Sequence, residues 1–491
     1  MTSTPTPITK TPTLTLDGAS LTPSDIAALA RRTARARIDP ASRERMLQAR
    51  RTAEDVVTRR RVYGLTTGVG ANRTTDLSEA AAGDHGMRLL RSHSGAIGPL
   101  VPVEETRAML AVRLNQLLRA GSAISAEVAD RIGQALDSGH VPVVHAFGSV
   151  GTGDLAALAE LGLALAGEHP WREGQGSGPA PEPLALDRWD ALPLMSSSAL
   201  TVGQAALAQH DLARLLDAVP LVAALSLTVI HGSTEPFASV VHALRPYAGA
   251  TRVAARMREL LDPLPWEPPM VQDPFGFRCL PQVHGAALDA ADALESVLAI
   301  EINAAAENPL LSLEPADYHH HGGFHQASLA LATDQLRLAA LGTAQLSTAR
   351  VGVLVSPVFT GLPAFLAQDE DGSSGVMITE YAAQAALAEL RTLAQPVTLG
   401  HAVLSRGVEE HASFAAAGAR HLFDSVVLLR LVLACELVIA VRALRMNGVI
   451  LDPATELGRF QREAGEVLNP GTADRDLTPD VEAAADLLAR P

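Results

Sequence analysis

A glycine-rich loop over residues 148–156 carries the most chemically informative residues of the chain. It reads Gly-Ser-Val-Gly-Thr-Gly-Asp-Leu-Ala, so Thr152 stands between two glycines. Glycine leaves the backbone free enough for an amide nitrogen to turn back on a preceding carbonyl. Loss of the threonine hydroxyl as water would then leave an electrophilic alkene. The other interpretation is an ordinary glycine turn in front of a helix, and the loop alone leaves both open.

Two further segments carry residues suited to proton transfer and anion binding. Tyr63 opens a loop with glycines at 64, 68 and 70. With a pKa near 10, tyrosine is a poor base at neutral pH, so this role requires a nearby cation or preorganised donors for the phenolate. Arg278, within Gln-Asp-Pro-Phe-Gly-Phe-Arg-Cys, can bind a carboxylate as a planar two-pronged donor. Taken singly, a packed tyrosine ring and a structural ion pair are the commoner outcomes.

Four histidines fall within seven residues, at 319, 320, 321 and 325. Such a run is compatible with a metal site. The three adjacent side chains, however, cannot all converge from one regular element. This argues against a metal site, and we predict no metal ligands.

The elements that must position these residues are predicted to be mainly helical. Helical apolar spacing marks the N-terminal half, and the cap Thr22-Pro23-Ser24-Asp25 predicts a helix through Arg37. Longer helical segments follow. The predicted helices lie over residues 22–37, 40–61, 104–120, 126–138, 155–167, 199–230, 284–303, 326–354, 375–393 and 410–446.

Composition excludes several classes of protein. The residues are 47% hydrophobic but only 3% aromatic, which favours close-packed helices of Ala and Leu. A net charge of -15 argues against a nucleic-acid partner. Lys10 is the only lysine and lies in a Thr/Pro-rich head expected to be disordered, so a pyridoxal phosphate Schiff base is excluded. Two cysteines and the lack of an apolar signal core or membrane-spanning run predict a cytoplasmic protein without a membrane partner.

Along the chain, from about residue 20 to residue 450, these motifs follow the same order as in the aromatic amino acid lyase family of histidine, phenylalanine and tyrosine ammonia-lyases, which the sequence resembles. The loop at 148–156 is similar to the family's Gly-Ser-Val-Gly-Ala-Ser-Gly-Asp-Leu-Ala, where Ala-Ser-Gly cyclises into the electrophile methylidene-imidazolone (MIO). The resemblance implies that Tyr63 removes a β-proton and Arg278 binds the substrate carboxylate. It places the other residues as follows: Thr152 and Gly153 at the electrophile, Glu409 on the substrate side, and His93, Ser196, Phe275 and Phe324 in the substrate pocket.

The departures from the family pattern cluster around the electrophile. Thr152-Gly153 stands in place of Ala-Ser-Gly, Ser196 in place of an asparagine, Phe275 in place of a tyrosine and Val408 in place of a glutamine. The residues that the resemblance assigns to the substrate, Tyr63, Arg278 and Glu409, are retained. The pattern favours an enzyme that works without MIO, and without any diffusible cofactor.

Three functions stay open at this point. The first is a lyase-type enzyme that acts on an amino-acid-like carboxylate without MIO, by elimination, isomerisation or cyclisation. The second is a conventional ammonia-lyase or aminomutase whose Gly151-Thr152-Gly153 forms a variant electrophile. The third is a non-catalytic scaffold derived from a lyase. Retention of Tyr63, Arg278 and Glu409 argues against the third.

The resemblance also sets expectations for architecture. It implies a mainly α protein of the ammonia-lyase/fumarase-like superfamily, with a loop-rich helical N-terminal domain and a long central bundle. We expect a disordered head over residues 1–20, a catalytic-loop domain over 21–210 and the bundle over 211–491. A homotetramer with sites at subunit junctions is implied, since the long apolar helices expose more surface than one copy covers.

Overall fold

The computed structural model describes residues 11–77, 79–173, 178–262, 266–368 and 372–490. Helices dominate, and the strands are short pairs. The helices are α1 Pro23–Ala30, α2 Pro40–Val57, α3 Glu79–His93, α4 Val103–Leu117, α5 Ala126–Ser138, α6 Leu155–Leu165, α7 Ala191–Met195, α8 Ala199–Val229, α9 Ser239–Ala243, α10 Ala248–Leu261, α11 Phe275–Arg278, α12 Leu280–Glu301, α13 Ala327–Leu354, α14 Pro357–Thr360, α15 Met377–Leu393, α16 Ala415–Met446, α17 Glu456–Val467 and α18 Thr478–Ala489.

Short strand pairs stand among these helices. The strands are β1 Thr13–Leu16, β2 Arg35–Ile38, β3 Ile97–Leu100, β4 Val141–Pro142, β5 His145–Phe147, β6 Trp171–Arg172, β7 Leu310–Leu313 and β8 Ala316–His319. β1 pairs with β2 in parallel, while β3–β5, β4–β6 and β7–β8 are antiparallel. The mainly α prediction is confirmed.

Two local predictions near the N-terminus are wrong. The first helix ends at Ala30, not Arg37, because residues 35–38 alternate in exposure and pair as β2 with β1. The same pairing orders Thr13–Leu16, so the expected disordered head does not extend over them. Residues 1–10 lie outside the described residues.

Contacts divide the chain into two compact units. The first unit takes the chain up to Leu207 together with Glu295–Leu331 and Val397–Arg420. The second unit takes Ala208–Leu294, Ala332–Pro396 and the chain from His421 onward. The predicted division at residue 210 lies close to the first boundary, but two later segments return to the first unit. Sequence order alone gave no sign of that return.

The first unit is built around apolar helices. Nearly every residue of α4 and α6 is buried. Ala and Leu fill α6, whereas α4 also buries charged residues such as Arg107 and Arg113. α6 packs against α3 and α7, and α4 packs against α1 and α5. This packing fixes the loop that precedes α6, which contains Thr152.

A buried polar cluster ties the second unit together. The Glu436 carboxylate accepts hydrogen bonds from Arg350 Nε at 2.6 Å and from the hydroxyls of Ser226 (2.7 Å) and Ser347 (2.6 Å). The arginine and the carboxylate are both fully buried. Such a pair is tolerated because every oxygen has a donor.

One helical stretch among the described residues, Ala191–Val229, is long and apolar enough to cross a membrane by length and composition. The sequence analysis predicted no such run. Of its most apolar window, 72% is buried inside the protein, as in the core helices of globular proteins.

Candidate active site

The first unit contains a cavity of about 960 Å³, which we call the tyrosine cavity. It brings together seven of the nine residues predicted for the site, and its described lining does not include Phe275 and Arg278, which lie on α11 in the second unit. The seven are Tyr63, His93, Thr152, Gly153, Ser196, Phe324 and Glu409.

Tyr63 sits in a turn whose hydrogen bonds fix both its backbone and its phenol. Its Oη accepts a hydrogen bond from the Gly70 N–H at 2.7 Å, and its own N–H donates to His320 Nε2 at 3.1 Å. Burial raises the pKa of Tyr63 above its usual value, and Glu409 raises it further, against the lowering effects of Gly70 and Arg73. The phenol therefore has one preorganised donor but not yet the electrostatic environment of a base at neutral pH.

The loop that contains Thr152 is held at several points. Gly151 and Gly153 adopt φ of +88° and +109°, in the region that favours glycine. The Gly151 carbonyl accepts hydrogen bonds from Ser413 Oγ at 2.9 Å and from the Gln326 N–H at 3.3 Å. Ser149 Oγ donates to the Gly153 carbonyl at 3.0 Å. Thr152 is thus the half-buried residue of a loop whose neighbours on both sides are fixed.

Position 151 has no room for a side chain. A Cβ there would lie 2.1 Å from Ser413 Oγ and 2.8 Å from the backbone nitrogens of Phe414 and Ala415. At Gly153 the nearest atom to an added Cβ is 3.7 Å away, so only its φ calls for glycine. The residue before Thr152 must therefore be glycine, where the family motif has alanine before its serine.

Ser196 lines the same cavity as the Thr152 loop. It follows α7 directly, and its Oγ donates to the Asn308 carbonyl at 3.3 Å. A buried arginine of α4 supports this position: Arg113 donates to the Leu194 carbonyl at 3.1 Å and forms an ion pair with Glu307 at 2.8 Å. Sequence reasoning missed Arg113, because α4 carries several charged and polar residues and its sequence does not mark this one as buried.

Histidines form much of the remaining wall. His321 accepts a hydrogen bond from the Gly323 N–H at its Nδ1 and contacts the Glu307 carbonyl through Nε2, both at 2.8 Å. His325 Nε2 lies 3.0 Å from His411 Nδ1. Within the described ranges, no group of three or more His, Cys, Asp or Glu residues is arranged to hold a metal ion.

His93 and Glu409 face the cavity from opposite ends of the chain. The His93 ring is fixed by its Nδ1, which lies 2.9 Å from the Leu89 carbonyl one helical turn earlier. Glu409 is exposed, and its backbone pairs with Leu404 through bonds of 2.9 and 3.3 Å. Between them, Arg406 adopts φ of +58°, so this segment turns sharply.

Arg278 and Phe275 form a pair of their own in the second unit. The Arg278 guanidinium carbon lies 4.4 Å from the centre of the Phe275 ring, an arrangement suited to a cation–π contact. Arg278 Nε is buried and has no hydrogen-bond partner in the part of the chain that the structure describes. Phe275 is 63% exposed. The arginine therefore has unused donor capacity beside an exposed ring.

The comparisons with known proteins now place the chain in a class. The family profile described as aromatic amino acid lyase matches residues 21–466. The chain therefore belongs to the aromatic amino acid lyase family.

Individual relatives match nearly the whole chain. The histidine ammonia-lyase of Symbiobacterium thermophilum is 35% identical over 486 residues, 96% of each chain. The structure of ergothionase from Treponema denticola, an ergothioneine degrading enzyme in complex with desmethyl-ergothioneine sulfonic acid, has a TM-score of 0.87 at 26% identity and covers 97% of this chain and 98% of that one. Tyrosine aminomutase from Streptomyces globisporus has a TM-score of 0.90 at 26% identity and covers 97% and 96%.

Proposed function

We propose that the protein is a lyase-type enzyme that acts on an amino-acid-like carboxylate through Tyr63, without MIO. The observation that carries this proposal is the Thr152 loop. It lines the same cavity as Tyr63 and Glu409, yet position 151 excludes a side chain and its carbonyl is held by two donors. The acid–base residue is thus retained beside a loop that lacks the alanine and serine of the electrophile.

The proposed reaction is an elimination. The Tyr63 phenolate takes a proton from the carbon β to the amine, and that electron pair forms the double bond. The carbon–nitrogen bond breaks, and its electron pair leaves with the amine. Without an electrophile the amine must leave from its positively charged state. Glu409, which lines the same cavity, can pair with that ammonium.

A variant electrophile is the second candidate, and one observation favours it. The two hydrogen bonds on the Gly151 carbonyl would also stabilise an oxyanion if the Gly153 nitrogen attacked this carbon. Intact mass of the purified protein separates the two candidates, because a mature MIO-type ring lacks two waters. An unchanged mass together with turnover supports our proposal. Loss of two waters from a peptide with residues 148–154 contradicts it.

The names of the relatives suggest an imidazole-bearing amino acid or derivative as substrate. One relative is named histidine ammonia-lyase, and one neighbour degrades ergothioneine. We expect turnover of L-histidine or ergothioneine, followed as amine release, and none of L-tyrosine. Turnover of L-tyrosine alone would point instead to the aminomutase-like candidate. No turnover of any amino acid tested, with intact fold, would favour the scaffold.

Arg278 is proposed as the carboxylate anchor. Its unpartnered Nε and the exposed Phe275 ring beside it are what a residue awaiting a ligand presents. We further propose a cytoplasmic homotetramer with sites at subunit junctions, so that a second copy can supply this arginine. Light scattering on a sizing column tests the assembly, and a monomer at micromolar concentration would contradict it.

A further inference from the structure

A second cavity of the first unit, of about 840 Å³, shares no lining residue with the tyrosine cavity among the described residues. We call it the arginine cavity. Its walls come from β2, α4, α5 and the turn that joins α1 to β2. Its charged lining residues are Arg32, Arg35, Arg37, Arg107, Asp130 and Asp137.

The acids of the arginine cavity do not balance its arginines. Asp130 is already engaged by Arg43, whose Nη2 lies 2.7 Å from its Oδ2 and whose Nε lies 3.1 Å from both oxygens. Asp137 is an exposed residue, yet partial desolvation raises its pKa despite the arginines nearby. One acid therefore faces several guanidinium groups, and an excess of positive charge remains.

Arg107 contributes a buried charge with only neutral partners. It is 4% exposed, and its three nitrogens donate to the carbonyls of Ala30 (2.9 Å), Leu136 (2.9 Å) and Leu29 (2.8 Å). Burial lowers its pKa to about 10, so the group stays protonated at neutral pH. Carbonyl oxygens satisfy the donors but do not neutralise the charge, so its field reaches the cavity.

Arg32 gives more direct evidence that a hydrogen-bond acceptor is absent from the arginine cavity. It adopts φ of +61°, a conformation that costs a non-glycine residue free energy. Its Nη1 is buried without a hydrogen-bond partner in the described chain, and its Nη2 makes only a long bond of 3.5 Å to the Asp137 carbonyl. Buried guanidinium N–H groups are rarely left unpaired. An anion in the arginine cavity would supply the absent acceptor.

We propose that the arginine cavity binds a small multivalent oxyanion, such as a phosphorylated or polycarboxylate metabolite. Forked guanidinium groups match such anions, and several converge on a cavity large enough for a metabolite. The two segments that adjoin the lining of this cavity along the chain and lie outside the described residues carry no acid. Residues 1–10, before the lining residue Thr11, contain one lysine, and residues 174–177, before the lining residue Gly178, read Gly-Gln-Gly-Ser. The ligand must therefore bring its own negative charge.

Isothermal titration calorimetry of the full-length protein tests this, with pyrophosphate and citrate as probes at constant ionic strength. We expect at least one of them to bind the wild type. Arg32→Gln should weaken this binding by about tenfold to a hundredfold, because a charge-assisted hydrogen bond is lost. Arg51→Gln is the matched control, because it removes the same charge from a residue that is 66% exposed on α2 and paired with Glu44. The Arg51→Gln variant should bind the anion with the affinity of the wild type.

Asp137→Asn gives a prediction of opposite sign. It removes the remaining acid of the cavity, so binding should become tighter, which general damage to the fold would not produce. Should Arg32→Gln fail to fold, Arg35→Gln replaces it, with the same weakening expected. Binding of neither anion to the wild type overturns the proposal. Equal affinities of wild type, the arginine variant and Asp137→Asn also overturn it, since the anion would then bind elsewhere, for example at Arg278.

Discussion

The two loops that meet at the tyrosine cavity are held in different ways. The loop around Thr152 is fixed by bonds to Ser413 and Gln326 and is sterically closed at Gly151. In the other loop, Tyr63 is held by one bond to its phenol, from Gly70, and one bond from its backbone, to His320, while backbone bonds such as Gly68 N–H to the Thr75 carbonyl hold the rest of the loop. The first loop is held by contacts within this chain, whereas the pKa of the phenol in the second is raised by burial more than Gly70 and Arg73, among the described residues, lower it. Structural rigidity and chemical readiness are therefore separate properties of this site.

The largest expected effect tests the second loop. Tyr63→Phe should lower kcat by about 10² to 10⁴, because a positioned acid–base group is lost. Steady-state turnover of the best substrate measures it. Tyr318→Phe is the control, since Tyr318 is a buried tyrosine of the same unit that does not line the cavity, and it should keep its activity. Unchanged turnover in Tyr63→Phe would remove this residue from the mechanism.

The next largest effect is expected on the free energy of unfolding, at Gly151, where the loop around Thr152 has no room for a side chain. Gly151→Ala should lower the free energy of unfolding by about 2–4 kcal/mol, because strain at positive φ adds to overpacking against Ser413. Denaturant titration measures it. Gly153→Ala meets only the φ penalty and should cost less. Equal losses in both variants would show that the contact at position 151 relaxes.

The pH dependence of activity tests the loop of Tyr63 alone, because it reports the protonation state of the phenol. Because burial raises the pKa of this phenol, the phenolate fraction grows with pH throughout the neutral range. We expect kcat/KM to rise about tenfold per pH unit until the pKa of the phenol is reached. A profile that is flat from pH 7 to 9 would mean that ligand or assembly has already lowered this pKa, or that another group is the base.

The smallest expected effect concerns one hydrogen bond. Ser413→Ala removes the 2.9 Å bond to the Gly151 carbonyl, which keeps its weaker bond from Gln326. We expect a loss of about 1–2 kcal/mol in the free energy of unfolding. The double variant with Gly151→Ala should lose less than the sum of the two single losses, because the clashing oxygen is absent. Strict additivity would contradict the proposed contact.

Much of the fold could be predicted because its signals are local. α5 was predicted with its observed bounds, and α13, α15 and α8 within a few residues. β2 was missed because a parallel partner is far away in sequence, and its short Arg-Ala-Arg-Ile run also fits a helix. The seven cavity residues were found through motifs. The residues that hold them in place were not found, because their contacts join distant parts of the chain. Ser413 lies 262 residues from Gly151, and Arg113 lies 194 residues from Glu307.

The contact between Gly151 and Ser413 has a consequence for how such a sequence can change with time. An insertion that restores three electrophile-forming residues would push a side chain or a displaced backbone against Ser413 and its neighbours. A single mutational step in that direction is therefore penalised before any new chemistry is gained. A change to the family's three-residue motif would therefore require two distant segments to change together, so the contact makes the present loop hard to replace by single substitutions.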